Sequence, residues 1–175
     1  MRDLKARVAT ARALAVVAAL LLVGSQFATV VSVDVAGGSC EALNDTDPTL
    51  AERCVQGGFE RHGPAFALLA AAVLAMALWA TRSRAAGLGL VAIGAVALGI
   101  VLFGDLPASR ESGVIGRDYS GAEAQAGAAI WLEAAGGALA VLAGLLVLMP
   151  GPSRSQRTAG SRGVGGEAGK DAGRP

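Results

Sequence analysis

Uncharged hydrophobic runs occur at Ala13 to Val33, Gly63 to Thr81, Ala85 to Gly104 and Ala134 to Met149, the last reaching out to Ala128 if one acid, Glu133, is allowed. A helix needs about 20 apolar residues, within a range of about 17 to 25, to cross a hydrocarbon core of about 30 Å. The pattern therefore predicts spans at 13–33, 64–80, 85–104 and 128–149. They are joined by an outer loop at 34–63, a turn at 81–84 and a second outer loop at 105–127, and flanked by segments 1–12 and 150–175. The turn Thr81, Arg82, Ser83, Arg84 suits a tight antiparallel hairpin and leaves no room for a soluble insert. Pro64 suits a first helical turn, where its missing N–H costs nothing. The expected fold is all-α: a four-helix transmembrane bundle with short extracytoplasmic loops.

Composition agrees. Of 175 residues, 53% are hydrophobic, 17% charged and 4% aromatic, with 25 glycines. Soluble domains carry about 25% charged residues, whereas abundant Gly and Ala suit helices packed closely in lipid. The net charge of +1 conceals a strong polarity along the chain. Eleven of the 15 basic residues fall in the N-terminus, the 81–84 turn and the tail. The positive-inside rule then puts both termini in the cytoplasm and the two acidic loops outside. A cleaved signal peptide fits poorly, because the first apolar run exceeds the usual 7 to 15 residues and small residues are badly placed after it.

Both cysteines, Cys40 and Cys54, fall in the first outer loop. In an oxidising compartment they are expected to form a disulfide, worth about 3 kcal/mol by loop entropy. Asp47 and Pro48 read as the start of a short helix over Thr49 to Val55. A redox-active pair would be closer spaced, and zinc would ask for about four ligands where His62 is the sole histidine, so no metal or cofactor is expected. His62 itself reads as an interfacial polar residue at a helix start, with a pH-sensing role as the alternative.

Glu133 is the one acid inside a span. Ser120 and Glu123 form a capping-box pattern that would start the last helix near Gly121. Glu133 shares a stripe with Gly137, Ala140 and Gly144, while Gly136, Ala140 and Gly144 give small-xxx-small steps, so the acid should face the bundle. Further small-residue stripes are Ala67, Ala71 and Ala75 in the second span and Ala85, Gly89, Ala92 and Gly99 in the third. The outer half of the first span offers Ser25, Gln26 and Thr29 at a matching depth, and a Gln26–Glu133 hydrogen bond is expected. Trp79 and Trp131 lie near opposite ends of their spans, as interfacial anchors do. The tail, rich in Gly, Ser and Arg, is expected to be disordered and drawn to anionic lipid.

The stretch Gly104, Asp105, Leu106, Pro107, then Gly116 to Glu123 (Gly-Arg-Asp-Tyr-Ser-Gly-Ala-Glu) and Ile130, Trp131, Leu132, Glu133 resembles the outer loop and last span of small four-span membrane proteins of high-GC actinobacteria. That resemblance involves no catalytic motif and implies location without activity. The layout is also similar to claudin-like tetraspans, although their Trp-containing first-loop signature is missing. No Ser/His/Asp constellation, nucleotide loop or aromatic-basic patch for nucleic acid is present, so an enzyme or nucleic-acid binder is not expected. The expected function is a non-enzymatic assembly or interaction partner in the cytoplasmic membrane, meeting lipid, other membrane proteins or copies of itself. The alternative is a small proton-linked transporter or channel subunit using Glu133.

Overall fold

A computed structural model describes residues 2–35, 38–39, 54–79, 83–111 and 121–149, with side chains described from residue 6 onward and not at 35, 38 or 39. Helices dominate: α1 (Arg2–Ser25), α2 (Gly58–His62), α3 (Ala65–Trp79), α4 (Arg84–Ile100), α5 (Leu106–Ala108) and α6 (Ala128–Leu148). Between α4 and α5 the chain makes a π-helical turn, Val101–Asp105, so that one rod runs from Arg84 to Ala108. Strands β1 (Thr29–Val35), β2 (Gly38–Ser39), β3 (Val55–Gly57) and β4 (Glu123–Ala126) complete the fold. Three segments, Ala6–Ser25, Arg84–Ala108 and Ala128–Leu148, are long and apolar enough to cross a membrane. The fourth apolar helix, α3, covers 15 described residues.

The sheet corrects the all-α expectation and two span boundaries. The first helix ends at Ser25, and 29–33 belongs to a strand. The reason is local: Thr-Val-Val-Ser-Val-Asp-Val is rich in β-branched residues, stiff at χ1 and suited to a pleat. Glu123 does not cap a helix from Gly121; it pairs with Asp34 in the β1–β4 ladder, and α6 begins at Ala128 with Gly127 as its N-cap. Residues 31–32 pair with both β3 and β4, and Asp34 with both β2 and β4. Strands β2 and β3 therefore follow each other along one edge of β1, and β4 takes the other. Gln125 Nε2 donates to Asp34 Oδ2 at 2.7 Å across that ladder. Of the short helix expected over Thr49 to Val55, Val55 lies in β3 and Cys54 is buried just before it, while residues 49–53, with Cys40, Arg82 and the tail, fall outside the described residues.

Two glycines join the sheet to the helices. Gly58 N–H donates to Ala28 O and Gly127 N–H to Val30 O, at 3.0 and 2.7 Å. A methyl on Gly58 would run into the Ser25 carbonyl, and one on Gly127 into that of Thr29. The α1–β1 corner is thus held from two sides by backbone that no larger residue allows.

Below the sheet, α6 lies between α1 and α4. Its Gly136 faces Ala18 and Leu22 of α1, while Gly137 and Gly144 face Gly94 and Gly87 of α4. A methyl added at Gly94 would come within 2.6 Å of the Gly137 carbonyl oxygen, and one at Gly144 within 2.6 Å of that of Gly87. The stripe Gly136, Gly137, Ala140 and Gly144 is buried as expected. The stripes on the other two helices are rotated. On α4 the buried positions are Ala86, Gly87, Leu90, Gly94 and Ala97, whereas Ala85 and Ala92 are exposed, Gly89 meets Met76 of α3 and Gly99 has open space beside it. On α3 the buried set is Phe66, Ala70, Val73 and Ala77, with Ala67, Ala71 and Ala75 outward. Glycine outcompetes alanine because it lets two backbones touch, and Gly87 and Gly94 match Gly144 and Gly137 at equal spacing.

The interior is built largely of small residues, while Leu20, Leu68, Leu78 and Leu88 are each at least 60% exposed. That distribution suits a hydrocarbon surround, in which large apolar side chains need no burial. Trp79 and Trp131 also point outward.

Gly144→Leu is expected to destabilise the bundle by about 1–3 kcal/mol through overpacking. Gly99→Ala, at an open position, should leave stability unchanged or slightly raised. Thermal unfolding in detergent, followed by circular dichroism, compares the two.

Candidate functional site

Polar side chains gather at one level, where the helices meet the sheet. α1 ends there with Ser25 and Gln26, α2 contributes Arg61 and His62, the π turn supplies Asp105, and α6 supplies Glu133 one and a half turns from its start. Asp105 and Glu133 are both 0% exposed. The apolar cluster of Val30, Val31, Val101, Ala129 and Ile130 covers this layer toward the sheet.

Asp105 is the hub. Arg61 Nε donates to its Oδ1 at 2.6 Å, and the rest of the guanidinium donates to Gln56 Oε1 at 3.1 Å and Gly104 O at 3.2 Å. The π turn matters here: its wide i to i+5 bond, from Leu106 N–H to Val101 O, presents both Val101 and Asp105 inward. His62 Nε2 lies 3.1 Å from the same Oδ1 without making a hydrogen bond. The imidazole stands edge-on to Phe66, 5.0 Å between ring centres. Burial pushes the His62 pKa below its ordinary 6.5; Asp105 opposes that and Arg61 adds to it. Burial thus favours the neutral ring, in which one nitrogen keeps a lone pair.

Glu133 is different. Both of its oxygens, and Oδ2 of Asp105, are buried without a hydrogen-bond partner. It faces Asp105, Ser25 and the Arg61 charge, yet among the described residues no salt bridge reaches it. The expected hydrogen bond from Gln26 is not made: Gln26 Nε2 and Oε1 are themselves unpartnered. The Ser25 hydroxyl donates to Leu22 O at 2.8 Å, and Thr29 has left the helix for β1. The end of α1 turns into the sheet at this depth, which removes the helical register on which the Gln26 pairing relied.

Donor atoms of His62, Asp105 and Glu133 all lie within 4.8 Å of one another. A groove of about 780 Å³ reaches this cluster from the flank, with Arg61, His62 and Asp105 at its polar end and Val96, Ile100 and Phe103 along its wall.

No family model matches the chain, and no curated protein or solved structure is similar to it.

The sequence pattern does not mark Asp105 and Arg61 as site residues and offers His62 only as an interfacial residue or pH sensor, because each falls just outside an uncharged run. Their signal is position: His62 and Asp105 border predicted span ends on the same predicted side, with Glu133 just inside the last predicted span. Cys54 is buried and is not a free thiol; its expected partner Cys40 is outside the described residues.

Asp105→Asn removes the negative half of a buried ion pair and leaves Arg61 uncompensated. It is expected to cost about 3–5 kcal/mol. Pairing it with Arg61→Gln should cost less than the sum of the single changes, read as a coupling energy in unfolding titrations.

Proposed function

We propose that this chain is a four-span integral protein of the cytoplasmic membrane that acts without catalysis, as an assembly or interaction partner. The sheet is its recognition surface. The observation that carries this reading is the composition of that sheet: β1 and β3 flank the first long loop, β4 precedes the last helix, and Gly58 and Gly127 fasten all of them to the bundle. Two connections that would otherwise move separately are joined into one head. A head of this kind keeps its shape when it meets a partner, which lowers the ordering cost of binding.

In this reading α3 is the remaining span, completed by the residues on either side of it. Arg84 and the N-terminal part of α1 lie at the end opposite the sheet, as the packing of Gly87 against Leu148 requires. The basic ends are then cytoplasmic by the positive-inside rule, and the sheet is outside. Around the sheet end, Phe27, Phe59, Phe103 and Trp131 are all more than 60% exposed. Rings at that level suit a membrane interface, with Trp79 serving the other. A Cys40–Cys54 disulfide would close the first loop on the oxidising side.

A membrane-impermeant maleimide should label the cysteines of intact cells only after reduction, and label neither without it. Mild chemical crosslinking through the head, followed by native electrophoresis, should show a discrete higher assembly that Gly127→Val abolishes while the protein stays in the membrane. A purely monomeric species under both conditions removes the interaction reading.

A further inference from the structure

We propose that His62, Asp105 and Glu133 bind one divalent transition-metal ion, of the zinc, manganese or ferrous class, at the junction of helices and sheet.

Four observations converge on it. One imidazole nitrogen and two carboxylates place donor atoms within 4.8 Å of each other. Glu133 is wholly buried with both oxygens unpartnered, and Asp105 Oδ2 is likewise buried without a partner. A buried polar atom without a partner is costly, and these two neighbouring acids carry three such oxygens. The groove ending at His62 and Asp105 gives an ion a route in.

The donor set selects the ligand class. Arg61 Nε is committed to Asp105 Oδ1 at 2.6 Å, which leaves Asp105 Oδ2 and both Glu133 oxygens as buried acceptors that no hydrogen-bond donor reaches. A cation satisfies such acceptors, and the nitrogen donor selects among cations. Calcium and magnesium prefer oxygen alone, whereas imidazole with carboxylate suits the later divalent metals.

Arg61 then acts on the site through Asp105. By holding Oδ1 it turns Oδ2 toward the metal, as outer hydrogen bonds orient metal-bound carboxylates elsewhere. Phe66, edge-on to His62, limits rotation of the ring. Metal bonds of about 2.0–2.2 Å ask the three donors to draw together from their present spacing. Rotation about the Glu133 side chain, which no hydrogen bond restrains, supplies that movement. Three protein ligands leave the remaining coordination positions open to water or a small ligand entering along the groove.

The inference is independent of the sheet's role as a recognition surface. Its test uses the full chain in detergent, purified without a histidine tag, stripped with chelator and titrated with Co²⁺. Expected are one Co²⁺ per chain by elemental analysis, visible ligand-field absorption, and a rise in unfolding temperature on loading. Glu133→Gln and His62→Gln should each weaken binding at least tenfold and lose that rise, while circular dichroism shows both still folded. Either variant folding suffices for the comparison. Lack of saturable binding by the folded parent overturns the site, as does binding that survives unchanged in a folded variant. An intense sulfur-to-metal band also overturns it, by moving the ion to the cysteines.

Discussion

Everything in this bundle depends on how closely α6 can approach two helices at once. Its small residues leave two faces nearly bare, one toward α1 and one toward α4, and the α4 contact is backbone against backbone at two levels. Without a hydrophobic driving force between helices in lipid, such contact is a main source of cohesion. It also fixes depth. Once Gly137 is seated on Gly94, Glu133 is one turn higher and Asp105 is delivered beside it by the wide turn that ends α4. The polar layer is thus a consequence of glycine packing below it.

The layer is asymmetric in a way that carries chemistry. Asp105 has a counter-ion, with two further guanidinium bonds steadying it, whereas Glu133 is buried and, among the described residues, makes no ion pair. An acid in that position does not strengthen a fold: a close-packed apolar residue would serve stability as well or better.

Much of the architecture was legible in the amino-acid pattern, for physical reasons. Three of the apolar runs contain helices long enough to cross a membrane, where the backbone must satisfy its own hydrogen bonds, and α6 begins at Ala128. The small-residue face of α6 was readable since both of its neighbours use it. The faces of α3 and α4 were not: each carries two stripes of small residues, and only the partner's glycines decide which is buried. The strand 29–35 was concealed by hydropathy, which treats Val alike in helix and sheet, although its β-branched run pointed to a pleat. Glu133 was visible as a lone charge in a span. Its companions were not, because Arg61, His62 and Asp105 stand at span borders, where charge is ordinary, and only the tertiary arrangement shows three borders meeting.

The glycine joints at Gly58 and Gly127 have a mechanical meaning. Gly127 is hydrogen-bonded to β1 on one side and caps α6 on the other, and Gly58 is bonded to Ala28, just before β1, and begins the helix that ends in His62. No slack separates the strands from the ends of the helices that hold the polar cluster. The placing of the strands therefore also sets how far apart the first turns of α2 and α6 lie, and with them the backbone positions of His62 and Glu133.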